Sequence, residues 1–244
     1  MTAPEARLTI VIPAWNESLR IGSTLDHLIE RCEGLDIAEV IVVNDGSEDD
    51  TADLIRERVA RATHPRIRLV DHDRNRGKGA ALRTGLAAAS SPLVGFLDAD
   101  LSVGPESFAE AARRIDAGAD VVVGIRISHT GRADGAGQPL LRGWLSRLFK
   151  RFQRGLVGLP LQDTQCPFKL FTREAVASTL PRCTSDGWGF DVEVLLVAQR
   201  AGLRVEEIPV PWHFVGGSTV RANPITAWRT LREVLAIRRR HGSA

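Results

Sequence analysis

The chain contains no tyrosine and only one methionine. It has no apolar run approaching the roughly 20 residues that span a bilayer, and residues 1–5 lack the basic and apolar regions of a secretory signal. A cytoplasmic location, including a peripheral position on the cytoplasmic face of a membrane, is the resulting expectation. Three cysteines, Cys32, Cys166 and Cys183, are odd in number and widely spaced, which argues against a disulfide framework and a cysteine-based zinc site. Strong charge of one sign is also missing. A net charge of +2 is too small for the whole chain to bind polyanions, so no nucleic-acid partner is expected. Neither the P-loop spacing G-x-x-x-x-G-K-[ST] nor the dinucleotide fingerprint G-x-G-x-x-G occurs, which disfavours kinase-like and NAD-binding readings. No tandem repeat or low-complexity segment is evident.

What remains is a chain of 244 residues, 43% hydrophobic and 25% charged, with enough apolar material for a sizeable core. Its first half alternates β-branched runs with helical patterns. Leu8–Pro13, Glu39–Asp45, Ile67–Asp71, Val94–Leu97 and Asp120–Gly124 read as strands. The stretches leading to about Cys32, Thr51–Ala62, Ala80–Ala89 and Pro105–Ala117 read as helices. Such alternation predicts a parallel sheet covered on both faces. Ligands of these sheets sit outside the carboxyl ends of the strands, which places Pro13–Glu17, Asn44–Ser47, Arg74–Lys78 and Asp98–Asp100 along one crevice. The stretch Val94-Gly95-Phe96-Leu97-Asp98-Ala99-Asp100 delivers two carboxylates to that edge. A hard divalent cation takes oxygen ligands and commonly shares one or two protein carboxylates with substrate phosphates, so Asp98 and Asp100 can seat a nucleotide diphosphate. Taken singly, each of these segments also has an ordinary turn reading.

The segments Val11–Glu17, Val43–Asp49, Asn75–Ala80 and Leu97–Leu101 resemble, in order, the motifs of family 2 glycosyltransferases. That resemblance implies an α/β GT-A fold, with a mostly parallel Rossmann-like sheet and helices on both faces. It also implies that Pro13, Ala14, Glu17 and Asp45 hold the base and ribose of a nucleotide-sugar. Trp15 stands where the family usually has tyrosine and keeps an aromatic wall. Lys78 would lie near the nucleotide, and the Asp98-Ala99-Asp100 turn would hold the sugar nucleotide with Mg2+ or Mn2+ on Asp98 and Asp100. The chain is then expected to be one GT-A domain over 1–244, with a nucleotide-sugar half to about 126 and an acceptor half from about 127.

The acceptor half is less regular. Residues 128–139 are glycine-rich and polar, an expected loop over the crevice. Residues 140–157 place Leu141, Trp144, Leu145, Leu148, Phe149 and Phe152 at helical spacing among five basic residues and no acid. This basic amphipathic helix suits a membrane interface with anionic headgroups, or equally a surface helix packed on the core. Arg126 is a candidate phosphate ligand, or a salt-bridge partner. Asp191 and Glu193, two apart at the start of an apolar helix, face different sides, so one of them reaches the site. Asp191 has a helix-cap alternative. Gln162–Arg173 and Gly187–Leu195 resemble the polyprenyl- and dolichyl-phosphate glucosyltransferase branch, with Pro167 in place of a glycine. Glu206–Trp212 reads as an edge strand, and Arg221 in Gly216–Arg221 resembles a clamp on the donor diphosphate. A final helix is expected at about Ala227–Arg240.

This resemblance implies inverting transfer of glucose from UDP-glucose to a polyprenyl phosphate at a membrane surface. Alternatives are another donor such as GDP-mannose or UDP-GlcNAc, a soluble hydroxyl acceptor, a nucleotidyltransferase, or a non-catalytic nucleotide-sugar-binding module. A phosphate acceptor is already mostly dianionic near pH 7 and needs no base. A hydroxyl acceptor would need one, and Asp191 is then the candidate, beside Asp100 and Arg126 as the remaining catalytic residues.

Overall fold

A computed structural model describes residues 6–127, 158–213 and 224–242. The elements are, in order, β1 (Leu8–Ala14), α1 (Ile21–Arg31), β2 (Ile37–Asn44), α2 (Thr51–Arg61), β3 (Arg66–Asp71), α3 (Lys78–Ala88) and β4 (Leu93–Leu97). They continue with α4 (Ser107–Asp116), β5 (Val121–Ile127), β6 (Phe168–Thr172), α5 (Arg173–Thr179), α6 (Phe190–Arg200), β7 (Val205–Pro211) and α7 (Pro224–His241). The seven strands form one sheet of order β3-β2-β1-β4-β6-β5-β7.

The first four strands run parallel, with β1 at the centre flanked by β2 and β4. Their near-continuous apolar sequences follow from burial on both faces. Along β1 the period-2 alternation sends Ile10 and Ile12 to one face, against Ile21, Leu25 and Leu28 of α1 and Phe108 of α4. Val11 faces the other side with Ala81, Leu82 and Leu86 of α3 and Phe190 and Leu195 of α6. Strand β2 divides likewise, Val40 and Val42 against Ile41 and Val43. Helices therefore cover both faces, as the alternation predicted.

The second half departs from simple alternation. Strand β6, which the sequence reading did not mark as a strand, lies antiparallel between β4 and β5. Its run Phe-Lys-Leu-Phe places a fully buried lysine, Lys169, opposite Phe96 of β4. Strand β7 pairs in parallel with β5 at the edge, and its Pro209 and Pro211 are exposed, where a missing N–H costs the ladder nothing. The loop expected at 128–139, the basic helix expected at 140–157 and the Gly216–Arg221 loop lie outside the described residues. Among the described residues no helix is long and apolar enough to cross a membrane.

Candidate active site

The strand order reverses between β1 and β4: β1 leads outward to β2 and β3, and the chain then returns to β1's other side. A crevice opens at such a switch point, and the sequence-predicted segments converge there. Trp15, at the end of β1, is 39% exposed and directed to solvent, and Asn16 after it adopts φ 53°. Asparagine tolerates that left-handed backbone better than most residues. The β1–α1 loop is tied to the β2–α2 turn by Asn16 N–H to Ser47 Oγ (3.0 Å), Glu17 N–H to Thr51 Oγ1 (2.8 Å) and Glu48 N–H to Asn16 Oδ1 (2.9 Å).

Asp45, expected to face the base and ribose, is 3% exposed. Its carboxylate accepts the N–H groups of Arg76 (2.9 Å) and Gly77 (2.7 Å) and pairs with His72 Nδ1 at 2.7 Å. The structure thus directs Asp45 to the glycine loop, whose shape it fixes. The bareness of that loop's glycines serves a protein contact. Gly77 sits at φ +103°, and a Cβ there would lie 2.4 Å from the Asp186 carbonyl oxygen. A Cβ on Gly79 would lie 2.4 Å from the Ser185 carbonyl oxygen. The loop therefore rests directly on the 185–187 backbone.

At the end of β4 the chain turns sharply. Leu101 N–H donates to the Asp98 carbonyl (3.2 Å), and Leu101 takes φ 47°, a costly conformation for a branched residue. Thr24 Oγ1 donates to the buried Ala99 carbonyl (2.6 Å), and Asp100 Oδ1 accepts Ser102 N–H (2.9 Å). The turn thereby presents Asp98 and Asp100 on either side of a buried alanine. Lys78, the first residue of α3, donates to Asp98 Oδ1 at 2.7 Å, and its Nζ lies 3.9 Å from Asp191 Oδ2. Burial pushes the Asp98 carboxyl above its ordinary range against the pull of Lys78, and the negative charges of Asp100 and Asp191 add to the rise. Burial likewise raises Glu17, with Asp100 and Asp98 adding to it against Arg20, its partner at 2.7 Å. Lys78 is held charged: burial opposes its ammonium, and Asp98, Asp191 and Asp100 outweigh that opposition.

Lys169 belongs to the Gln162–Arg173 segment but is not among the sequence-predicted site residues, since its partner Asp191 lies 22 positions away. It is 0% exposed, donates to the Cys166 carbonyl (3.0 Å) and Asp191 Oδ1 (2.5 Å), and lies 5.1 Å from the Phe96 ring centroid. Asp98 and Asp191 thus flank Lys78, Asp191 also holds Lys169, and Asp100 adds its charge nearby. Surplus negative charge and hard oxygen donors at a partly open strand end suit a divalent cation. Among the described residues no three His, Cys, Asp or Glu side chains converge as a protein-only cage. The donor set fits a cation completed by substrate oxygens.

Glu193 points away from this cluster. It accepts Thr184 N–H (2.8 Å), Ser185 N–H (2.7 Å) and Arg240 Nη1 (2.9 Å), and pairs with His241 Nε2 at 3.0 Å. Of the two acids, Asp191 is the one at the site. Arg126 makes a bidentate pair with Asp163 at 2.6 and 2.9 Å, and its guanidinium lies 6.0 Å from the Trp212 ring centroid. Pro13 and Ala14 close β1 opposite Val43 and Asn44. Arg221 lies outside the described residues.

Residues 9–180 match the family model described as Glycosyl transferase family 2. The chain belongs to that family. As a family 2 glycosyltransferase it is 36% identical over 230 residues to a dolichyl-phosphate beta-glucosyltransferase of Trichomonas vaginalis, covering 89% of this chain and 67% of that one. It is 34% identical over 227 residues to the dolichyl-phosphate beta-glucosyltransferase of Dictyostelium discoideum, covering 86% and 68%. The human dolichyl-phosphate beta-glucosyltransferase is 30% identical over 256 residues, with 98% and 77% covered. Among solved structures, it resembles glucosyl-3-phosphoglycerate synthase of Mycobacterium tuberculosis in complex with Mn2+, UDP-glucose and phosphoglyceric acid. The TM-score is 0.71 at 22% identity, over 98% of this chain and 81% of that one. The fold of this family 2 glycosyltransferase is therefore GT-A.

Proposed function

We propose that this glycosyltransferase moves glucose from UDP-glucose to a polyprenyl phosphate with inversion, at a membrane surface facing the cytoplasm. The observation that carries the reading is the Lys78–Asp98 pair beside Asp100 at the switch point, with Asp191 behind it. The dolichyl-phosphate glucosyltransferases to which the chain is similar support the sugar and the acceptor. In this reading Pro13, Ala14, Trp15 and Glu17 line the base and ribose, and Asp45 acts on the nucleotide through the loop it braces. Arg126, oriented by Asp163, and Arg221 are our candidates for phosphate contacts. The acceptor half begins near 127, and residues 140–157 supply the membrane contact.

Asp100, with Asp98, would hold Mg2+ or Mn2+, which when bound offsets charge on the diphosphate leaving group. Lys78 donates hydrogen bonds toward the same diphosphate. An oxygen of the acceptor phosphate forms the new bond to the anomeric carbon while the bond from that carbon to the β-phosphate breaks, its electron pair leaving on UDP. The dianionic acceptor brings no proton to remove. Asp191 fits this requirement: it is 2% exposed with one oxygen on Lys169, a fixed counter-charge to Lys78.

The test is transfer of radiolabel from UDP-glucose to an extracted polyprenyl phosphate, with Mg2+ or Mn2+ and an EDTA control. An EDTA-sensitive glucolipid is expected, and Asp100→Asn should lower its formation by roughly 100-fold or more. Metal-dependent UDP release onto a soluble acceptor, with no lipid product, would overturn the acceptor assignment. Turnover of GDP-mannose and not of UDP-glucose would overturn the donor.

A further inference from the structure

We propose that Trp188 is the platform on which the transferred sugar rests, a role that builds on the UDP-glucose reading above. Trp188 lies in the segment Gly187-Trp188-Gly189 that leads into α6, and it is 38% exposed. Its ring covers the Lys78 ammonium, with Nζ 4.9 Å from the ring centroid, and the same ammonium donates to Asp98 Oδ1 at 2.7 Å. The indole is thus one side chain removed from a carboxylate assigned to the donor diphosphate. A large apolar ring left partly bare beside a charged cleft is the informative kind of exposure, unlike an isolated surface leucine.

The backbone around it is built to hold that ring in place. A Cβ on Gly187 would lie 2.3 Å from Glu233 Oε1, and one on Gly189 would lie 3.0 Å from Glu233 Oε2. Gly189 N–H donates to Glu233 Oε2 at 2.7 Å, which fastens the segment flat on α7. On its other side the 185–187 carbonyls bear on Gly77 and Gly79 of the glycine loop, and Ala80 N–H donates to the Asp186 carbonyl at 3.1 Å. Trp188 is therefore presented from a backbone clamped on both sides, and the Lys78 ammonium 4.9 Å from its ring centroid positions the indole itself, which limits the freedom it loses on binding.

The chemistry suits a hexose. A glucopyranose ring has an apolar C–H face that matches an aromatic surface in size, and its hydroxyls remain at the rim for polar partners. Positive charge grows on the anomeric carbon as the bond to the diphosphate lengthens, and the negative face of an indole favours that charge. Trp188 therefore contributes to the sugar and to its transition state, while the uridine and diphosphate are held elsewhere.

The experiment is calorimetric titration of the full chain with UDP and with UDP-glucose, in Mg2+, for wild type, Trp188→Ala and Trp188→Phe. Trp188→Ala should weaken UDP-glucose about 5- to 10-fold and leave UDP within about two-fold, with Trp188→Phe in between. In turnover, Trp188→Ala should also lower kcat. Equal weakening of both ligands would overturn the proposal and reduce Trp188 to a cover for Lys78. Unchanged UDP-glucose affinity with a raised KM for the acceptor would overturn it in favour of an acceptor contact. Wild-type protein that binds UDP but not UDP-glucose would remove the donor reading and this inference with it. Thermal melting of Trp188→Phe checks that the fold is kept.

Discussion

Replacing Lys169 by methionine tests whether the buried charge pair organises the site. Methionine matches the lysine side chain as far as Cε and lacks only its terminal ammonium. Two partners are then stranded: the Cys166 carbonyl, now 3.0 Å from the Lys169 ammonium, and Asp191, whose Oδ1 lies 2.5 Å from it. Asp191 is 2% exposed, so water does not replace the lost donor, and Lys78 at 3.9 Å already serves Asp98 at 2.7 Å. Removing one member of a buried pair costs about 3–5 kcal/mol because the other charge stays desolvated. For a chain of this size each kcal/mol moves Tm by about 2–4 °C, so a fall of about 6–20 °C is expected by calorimetry. The double variant Lys169→Met/Asp191→Leu removes both charges and should regain most of that loss, since apolar replacement of a whole buried pair is often near neutral. Its transferase activity should stay low, because Lys78 keeps Asp98 but has lost Asp191, the second carboxylate that fixes its position. A single variant that melts within about 2 °C of wild type, or a double variant less stable than the single, would refute the reasoning.

Two further outcomes follow from the same geometry. Burial opposes ionisation of Glu193, yet hydrogen bonds from Ser185, His241 and Thr184 hold its carboxyl below the ordinary value of 4.5. A folded-state value below the unfolded one adds stability above the unfolded value and loses it as pH falls through the folded one, so Glu193→Gln should lie below wild type in urea midpoint near neutrality, with the gap closing as pH falls below the ordinary value of 4.5. Gly77→Ala places a methyl group 2.4 Å from the Asp186 carbonyl at φ +103°. Strain of roughly 1–3 kcal/mol plus the clash should lower Tm and weaken UDP binding together, and a wild-type melt would show that the glycine loop yields easily.

The segments expected to hold the donor were legible because their chemistry sits at the ends of regular, locally patterned elements. The run into Asp98-Ala99-Asp100 announces both a buried strand and the carboxylates at its tip, and Arg74–Gly79 announces a helix start. The second half of the chain hides its logic in pairings that no spacing reveals. Strand β6 carries a lysine in an apolar run, and that lysine makes sense only beside Asp191, 22 positions away. The Gly77 and Gly79 positions were visible, but the backbone they accommodate belongs to residues more than a hundred positions later. Arg126 was visible as a cation, whereas Asp163, its bidentate partner, comes from beyond the segment 128–157. Local pattern carried the sheet's first half, and long-range contacts decide the rest.

The contacts of α7 also order events in time. Glu233 holds Gly189, and Arg240 and His241 hold Glu193, so the helix that carries Asp191 is braced by residues made about 40 to 50 positions later. A nascent chain that has emerged through β4 already displays Asp98 and Asp100, but it has neither Lys169 nor Asp191 to set against Lys78. The candidate site therefore has all its charged partners only once α6 has been made, and α7 then braces that helix at Gly189 and Glu193. A truncation or fusion that disturbs residues 233–241 should act on turnover before it acts on the donor-side fold.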